Sequence, residues 1–311
     1  MVKAAADSPG NLQAVPTSSR ARAVLGKVKR RLQATAPRPA KKQAAKKAPS
    51  KRQAEGRKQP GRRSSTYKAL PGDRLLERPV FVLSSIRSGS TLLRVLLNSH
   101  TAIHAPHELH LGGIEIGLHG RFTGAAMEEI ELDEVQLQYL LWDRVLHREL
   151  TRHGKKVLVN KTPSDSFRWR RILECWPDAR FIFLLRHPAA VTDSWAKARP
   201  DWARDRVADD VLRYMVAVEE ARAQHGGLTI KYEDITLDPE REMQRVCEFL
   251  EVEWEPSMID YGNSEHGDFQ AGLGDWSERI KSGKIQPVDR LPGRDETPAS
   301  LVPISVKWGY L

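Results

Sequence analysis

The chain has 311 residues, and its hydrophobic fraction of 40% is enough to build a core for one large domain or two small ones. Its longest apolar runs, Val80–Leu83 and Phe181–Leu185, have the length of buried strands. A membrane-spanning helix needs about 18 apolar residues in succession, so we expect no transmembrane segment.

The net charge of +10 is distributed unevenly along the chain. Residues 1–70, here called the basic arm, contain ten lysines and nine arginines against Asp7 and Glu55, a net charge of +17 that leaves −7 for the remainder. The arm has too little apolar surface to offset the entropy cost of ordering, so we predict that it is disordered. Its charge would suit a polyanion such as a nucleic acid, an acidic partner protein or an anionic membrane surface. A transit peptide and a solvated tail without a partner are equally open interpretations.

The cysteine content indicates a reducing compartment. Cys175 and Cys247 lie within helix-like apolar patterns, and two cysteines make neither a metal cage nor a disulfide framework. The N-terminus lacks the apolar segment of a signal peptide. We therefore expect a cytoplasmic protein with two reduced core cysteines.

Beyond the basic arm, apolar strand patterns alternate with helical ones. Strands are predicted at residues 79–85, 156–160, 180–185 and 228–232, and helices after the first strand, at about 132–153, from 164, at 188–198 and 205–224, and from Asp238–Pro239 to Leu250. Short apolar strands separated by helices indicate a parallel sheet covered on both faces. We predict one α/β domain over residues 71–311.

The first strand-to-helix junction reads SSIRSGST over residues 84–91. A tight turn that opens a helix offers backbone N–H groups to an anion, and Arg87 can fork onto phosphate or sulfate oxygens. Ser90 and Thr91 can add hydroxyl donors. The turn lacks the Gly-Lys pair of a nucleoside-triphosphate loop, which argues against ATP with magnesium and favours a phosphorylated donor used without metal. The alternative is an ordinary turn with a surface arginine.

A second anion-binding marker follows the strand RFIFLL. Arg186 stands directly after this strand, where parallel sheets bind ligands, and Ser194 lies two helical turns further on. Taken alone, an arginine at a strand end is more often a salt-bridge partner than a ligand contact.

Together these segments resemble the sulfotransferases that use 3′-phosphoadenosine 5′-phosphosulfate (PAPS). SSIRSGSTLLRVLL is similar to their 5′-phosphosulfate loop, FLLRHPAAVTDS to their 3′-phosphate motif, and VNKTPS and IKYEDITLDPE also fit, in an order that extends from about residue 79 to about 262. The bacterial small-molecule branch, including enzymes of polyketide pathways, and the tyrosylprotein branch are the most similar. The resemblance implies a three-layer P-loop-like fold with a central parallel sheet flanked by helices.

By position, the resemblance implies that the SSIRSGST loop binds the 5′-phosphosulfate and that the segment after the strand RFIFLL binds the 3′-phosphate. The residues so implied are Arg87, Ser88, Gly89, Ser90 and Thr91 for the former, and Arg186 and Ser194 for the latter. The segment Gly274–Lys284 resembles a late cofactor-covering loop, in which Lys281 and Lys284 are the candidate contacts. This segment departs from the Arg-Lys-Gly pattern of the cytosolic enzymes.

Sulfuryl transfer needs an in-line nucleophile, a base and cations on the departing phosphate. Arg87 and Lys161 are the candidate cations. Glu108 matches the carboxylate that serves as base in tyrosylprotein and some bacterial sulfotransferases, and His110 is the second candidate. We expect no metal, because His100, His104, His107 and His110 lack the H-E-x-x-H spacing and Pro106 interrupts any helix that would align them.

The sequence thus predicts a sulfotransferase that moves a sulfuryl group from PAPS to a hydroxyl of a small-molecule or carrier-bound acceptor. The region 110–155 is expected to shape the acceptor site, although its leucine-rich helix could equally be a core helix. The alternatives are a tyrosylprotein-type sulfotransferase, an ATP-dependent small-molecule kinase, and a nucleic-acid-binding protein acting through the basic arm.

Overall fold

The computed structural model of the chain describes residues 70, 72–264, 266 and 278–311. All of the basic arm except Leu70 lies outside this part, so the prediction of disorder there and the domain boundary at residue 71 stay predictions. Within the described ranges, no helix combines the length and the apolar character needed to cross a bilayer.

Five strands and ten α-helices make up this part of the chain. The strands are β1 (Val80–Ser84), β2 (Ile103–His104), β3 (Val157–Lys161), β4 (Arg180–Leu185) and β5 (Leu228–Lys231). The helices are α1 (Ser90–Asn98), α2 (Arg121–Glu129), α3 (Glu134–His153), α4 (Trp169–Cys175), α5 (Pro188–Ala198), α6 (Arg204–His225), α7 (Tyr232–Leu237), α8 (Pro239–Leu250), α9 (Glu278–Lys281) and α10 (Val302–Lys307). Short 3₁₀ turns occupy Leu111–Gly113, Pro163–Phe167, Pro256–Met258, Tyr261–Asn263, Arg294–Glu296 and Ala299–Leu301.

The strands form one parallel sheet in the order β2-β3-β1-β4-β5. The chain therefore passes from β1 to one side of the sheet and later crosses to the other side, which leaves a switch point beside β1. Loops that leave the carboxyl ends of strands around such a point are where open α/β sheets bind ligands. The predicted α/β class with a covered parallel sheet is confirmed.

Alternate residues of the central strands supply two cores, one on each face of the sheet. Phe81 and Leu83 of β1 face the cluster that contains Trp142 of α3. Val80 and Val82 face the cluster built by α1 and α8. Because both faces are covered, the strands are apolar throughout, and this explains why continuous apolar runs located four of them correctly.

The structure differs from the predicted elements mainly where segments are short. β2, which has only two residues, and the helix α2 were not predicted from the sequence. The helix expected from residue 164 begins as the 3₁₀ turn Pro163–Phe167, and the α-helix starts at Trp169. The start of α8 agrees with prediction, since the Asp238 side chain accepts a hydrogen bond from the Arg241 N–H and Pro239 occupies the first turn. Both cysteines are buried and free, as expected.

Candidate active site

The loop between β1 and α1 contains two residues with left-handed backbone conformations. Arg87 has φ +58° and Gly89, the N-cap of α1, has φ +84°. A positive φ is uncommon for a residue with a side chain, and such conformations cluster at ligand-binding turns. The first N–H groups of α1 lack carbonyl partners within the helix and so remain available at this turn.

The ring of Tyr232 packs directly against Gly89. A Cβ built on Gly89 would clash with Cδ2 of Tyr232, well inside the contact distance of two non-bonded carbon atoms. Only glycine therefore permits both the left-handed turn and the close approach of this ring.

We expect Gly89→Ala to abolish the loop geometry rather than the fold. Displacement of the Tyr232 ring should lower the affinity for adenosine 3′,5′-bisphosphate at least tenfold by calorimetry, with an unchanged far-UV circular dichroism spectrum. Gly154→Ala is the matched control, because Gly154 also has a left-handed conformation (φ +62°) but nothing within 4 Å of the added Cβ. Equal affinity in both variants would contradict this role of Gly89.

The two predicted anion-binding markers lie in direct contact. The Nε of Arg87 donates to Ser194 Oγ at 3.1 Å, and the guanidinium of Arg186 donates to the Arg87 carbonyl oxygen at 2.8 Å. Arg186 also stacks over the ring of Tyr232, with 4.4 Å between its Cζ and the ring centroid. The side chains of the β1–α1 loop, the end of β4 and the first turns of α5 thus converge on one place.

These residues line a cleft of about 580 Å³, which we call the arginine cleft. Its lining includes Arg87, Gly89, Thr91, Arg186, Ser194, Lys197, Tyr232, Tyr261, Lys284 and Arg290. Of the late lysines, Lys284 lines the cleft, whereas Lys281 is exposed at the end of α9. The Gly274–Ser277 part of the late loop lies outside the described residues.

A hydrogen-bond network behind Arg186 fixes the start of α5. The His187 ring is fully buried and its Nδ1 accepts a hydrogen bond from the Ala189 N–H, which caps the helix. The His187 N–H donates to one carboxylate oxygen of Glu233 at 2.9 Å, and the Tyr310 hydroxyl donates to the other at 2.7 Å. His187 is thus structural, as predicted, and the C-terminal segment supports the strand end that carries Arg186.

Glu108 lies in a second pocket beside the arginine cleft. Its Oε1 accepts from the ammonium of Lys161 at 2.5 Å, and its Oε2 lies 3.4 Å from Nε2 of His110. Lys161 is 1% exposed at the end of β3, so the ion pair is largely withdrawn from water. The candidate base, its alternative and one candidate cation are therefore neighbours.

This second pocket, the glutamate pocket, has a volume of about 370 Å³. It is lined by Ile86, Arg87, Gly89, Ser90, Thr91, Glu108, His110, Pro163, Ser164, Trp195, Arg199 and Tyr214. Arg87, Gly89 and Thr91 line both cavities. Ser88, the remaining residue of the predicted loop, is buried.

Buried charges surround Glu108. Arg94 of α1 is 2% exposed and donates to the Ala105 carbonyl oxygen at 3.3 Å, which ties α1 to the segment that carries Glu108. Burial lowers the pKa of Arg94 to about 10, against the opposing effect of the Glu108 carboxylate. Burial raises the pKa of Asp165 to about 7, and this carboxyl group accepts a hydrogen bond from Asn160 at 2.8 Å.

Aromatic side chains are divided between the core and the two cavities. Trp169 and Trp176 are core residues, and Trp195 lines the glutamate pocket, while the arginine cleft receives Tyr232 and Tyr261. The contact of Tyr232 could not be read from the YED motif, because nothing in that motif shows that its ring reaches the β1–α1 loop.

The region 110–155 contributes His110 to the glutamate pocket, but α3 does not shape it. The long helix directs Tyr139, Trp142 and Leu146 into the core. The residues that line the pocket instead come from α5, α6 and the turn after β3. The interpretation of α3 as a core helix is therefore correct.

The chain thus has a parallel sheet with a helix-opening loop at its switch point, an arrangement at which many α/β proteins bind phosphate groups. Residues 79–256 match the profile of the Sulfotransferase family, and the chain belongs to that family. The resemblance noted in the sequence is thereby confirmed.

Among curated proteins, the chain is 22% identical over 199 residues to a protein-tyrosine sulfotransferase of Drosophila melanogaster, covering 59% of this chain and 40% of the relative. It is 24% identical over 227 residues to nodulation protein NoeE of Sinorhizobium fredii, covering 61% and 53% respectively. The chain thus spans about half the length of the curated relatives it matches.

Among solved structures, similar folds occur in two sulfotransferase domains. The domain from the curacin biosynthetic pathway has a TM-score of 0.58 at 22% identity, covering 76% of this chain and 99% of that one. The domain from the Synechococcus PCC 7002 olefin synthase has a TM-score of 0.54 at 25% identity, covering 77% and 98%.

Proposed function

We propose that this protein transfers a sulfuryl group from PAPS to the hydroxyl of a small-molecule or carrier-bound acceptor. The observation that carries the proposal is the pair of adjoining cavities. The arginine cleft gathers both predicted anion-binding markers, and it meets the glutamate pocket at Arg87, Gly89 and Thr91. A donor held in the former and an acceptor in the latter would meet at the β1–α1 loop.

The residues of the arginine cleft fit a doubly phosphorylated nucleotide. The Arg87 guanidinium donates to the Ser194 hydroxyl, and the Arg186 guanidinium donates to the backbone carbonyl oxygen of Arg87. Guanidinium groups bind phosphate and sulfate oxygens in a forked geometry. Ser90 follows Gly89 where a triphosphate loop would have lysine, so the loop lacks the cation that binds β- and γ-phosphates.

When bound, PAPS would supply an activated sulfuryl group, and transfer would form the bond from sulfur to the acceptor oxygen while the bond to the phosphate oxygen breaks. Glu108 would accept the proton of the acceptor hydroxyl. Lys161 would hold the Glu108 carboxylate in place through the 2.5 Å ion pair. Arg87, which lines both cavities, would stabilise the charge that develops on the departing phosphate.

The donor assignment is tested by calorimetry of the full chain with adenosine 3′,5′-bisphosphate and, separately, with ATP-Mg²⁺. We expect tighter binding of the bisphosphate, and a loss of about 10- to 100-fold in Arg186→Ala, because a hydrogen bond to a charged group contributes about 1.5–3 kcal/mol. Arg170→Ala is the control, since Arg170 is an exposed arginine that pairs with Glu220. Preference for ATP-Mg²⁺, or wild-type affinity in Arg186→Ala, would refute the assignment.

A protein tyrosyl group is the second candidate acceptor. It is favoured by the curated relatives named protein-tyrosine sulfotransferases. Transfer of labelled sulfate from PAPS to tyrosyl peptides, compared with hydroxylated chains free or bound to a carrier protein, separates the two candidates. Labelling confined to the peptides would replace the first proposal by the second.

A further inference from the structure

Away from both cavities, two histidines and a glutamate meet at the edge of the sheet. His104 belongs to the edge strand β2, and Glu149 and His153 stand one turn apart at the end of α3. Their ligand atoms all lie within 4.8 Å of one another. The spacing within residues 100–110 predicted no metal, because it could not show that α3 brings two further ligand types to His104.

The distances within this cluster match those of ligands around one small metal ion. Oε1 of Glu149 lies 3.1 Å from Nε2 of His104 and 3.5 Å from Nδ1 of His153. Tetrahedral zinc with bonds of 2.0–2.1 Å separates its ligand atoms by about 3.3 Å. The two imidazole rings are stacked with centroids 3.8 Å apart, which places the two histidines side by side at the carboxylate.

The surroundings favour a cation at this place and leave it a path of entry. The cluster lies at the C-terminus of α3, the negative end of the helix dipole. His104 is 6% exposed and His153 is 38% exposed, so one ligand is fixed in the protein and another faces water.

Two features oppose the ion. Lys155 lies near His104, but its ammonium donates to the carbonyl oxygens of Asn98, His100 and Ile103 at 2.9, 3.0 and 2.7 Å. His153 Nδ1 also lies 2.8 Å from the Glu149 carbonyl oxygen, and a metal ion bound at this nitrogen would have to replace that contact.

We propose that His104, Glu149 and His153 form a Zn²⁺ site that joins the end of α3 to β2. A set of two imidazoles and one carboxylate is chemistry that Zn²⁺ prefers, with water as the fourth ligand. The ion would fasten the edge of the sheet four residues before Glu108. This site is independent of the proposed sulfuryl transfer.

The test is calorimetric titration of the full chain with Zn²⁺ alone, after treatment with a chelator. We expect one equivalent to bind, and the affinity to fall at least tenfold in His153→Ala and in Glu149→Gln. His147→Ala is the matched control, because His147 is on the same helix but outside the cluster. The basic arm contains no histidine or cysteine, so it adds no competing site of this kind.

Cobalt substitution gives a second readout. Co²⁺ bound in four-coordinate geometry should give strong visible absorption in the wild type and in His147→Ala, and not in His153→Ala. Zn²⁺ should also raise the melting temperature of the wild type, because a ligand that binds the folded state stabilises it. It should not raise the melting temperature of His153→Ala or Glu149→Gln. Equal zinc affinity in the wild type and His153→Ala, or an equal loss in His147→Ala, would overturn the proposal.

Discussion

Replacement of Glu108 by glutamine should lower kcat by about 10²- to 10⁴-fold, the range that general base catalysis contributes. Glutamine keeps the shape of the side chain and an oxygen that can accept from Lys161, but it cannot take a proton from the acceptor hydroxyl. The affinity for adenosine 3′,5′-bisphosphate should stay within about twofold of wild type, since Glu108 lines the glutamate pocket and not the arginine cleft. Turnover and calorimetry on the same preparation provide both measurements.

His110→Ala is the control for this experiment, because its Nε2 lies 3.4 Å from the Glu108 carboxylate and its side chain is 48% exposed. We expect this variant to keep most of its activity. If Glu108→Gln remains active and His110→Ala is inactive, the base is His110. Thermal melts of both variants ensure that any loss of turnover is not a loss of fold.

Replacement of Lys161 by methionine should lower the stability of the fold. Lys161 is 1% exposed and Glu108 13% exposed, and removal of one partner of a buried ion pair leaves the other charge without compensation. Such changes cost about 3–5 kcal/mol, and the partial exposure of Glu108 places the expected loss near 3 kcal/mol. The free energy of unfolding from urea denaturation measures this loss.

The double variant Lys161→Met/Glu108→Gln distinguishes the ion pair from simple loss of packing. Because no unpaired charge remains, it should recover most of the stability that Lys161→Met loses, while it stays catalytically inactive. If the stability loss of the double variant equals the sum of the losses in the two single variants, the two side chains do not interact energetically. A wild-type melting temperature in Lys161→Met would show that the 2.5 Å contact does not contribute to stability.

The fold could be predicted from the sequence wherever a strand was long enough to show a continuous apolar run. β4 was predicted at its observed bounds because five of its six residues are buried, and only its first residue, Arg180, is partly exposed. β2 could not be predicted, since two residues carry no periodicity. Its place at the sheet edge is set by pairing with β3, which is a tertiary interaction.

The candidate residues of the site could be identified from local motifs, but not their contacts. Arg186 stacks on Tyr232 because β4 and β5 pair with Leu185 opposite Lys231, so the residues that follow stand side by side. That register is invisible in the sequence. The role of Tyr232 beside Gly89 was missed for the same reason, and a tyrosine directly after a β-strand is too common to signal it.

Lys161 illustrates a partial success. The NKTP motif singled it out as a cation near the reacting groups, and the structure brings it to Glu108. The order of the strands could not be derived from the sequence, so nothing showed that the end of β3 would face the segment that follows β2. Its contact with the Glu108 carboxylate is observed, whereas its expected action on the departing phosphate stays a prediction.

The network of His187, Glu233 and Tyr310 extends the support of the candidate site beyond the residues that line it. The next-to-last residue of the sequence holds the carboxylate that anchors the backbone beside Arg186. The backbone beside Arg186 thus depends on a hydroxyl that lies outside the arginine cleft. Damage to this network would therefore be expected to weaken the cleft without changing any residue that lines it.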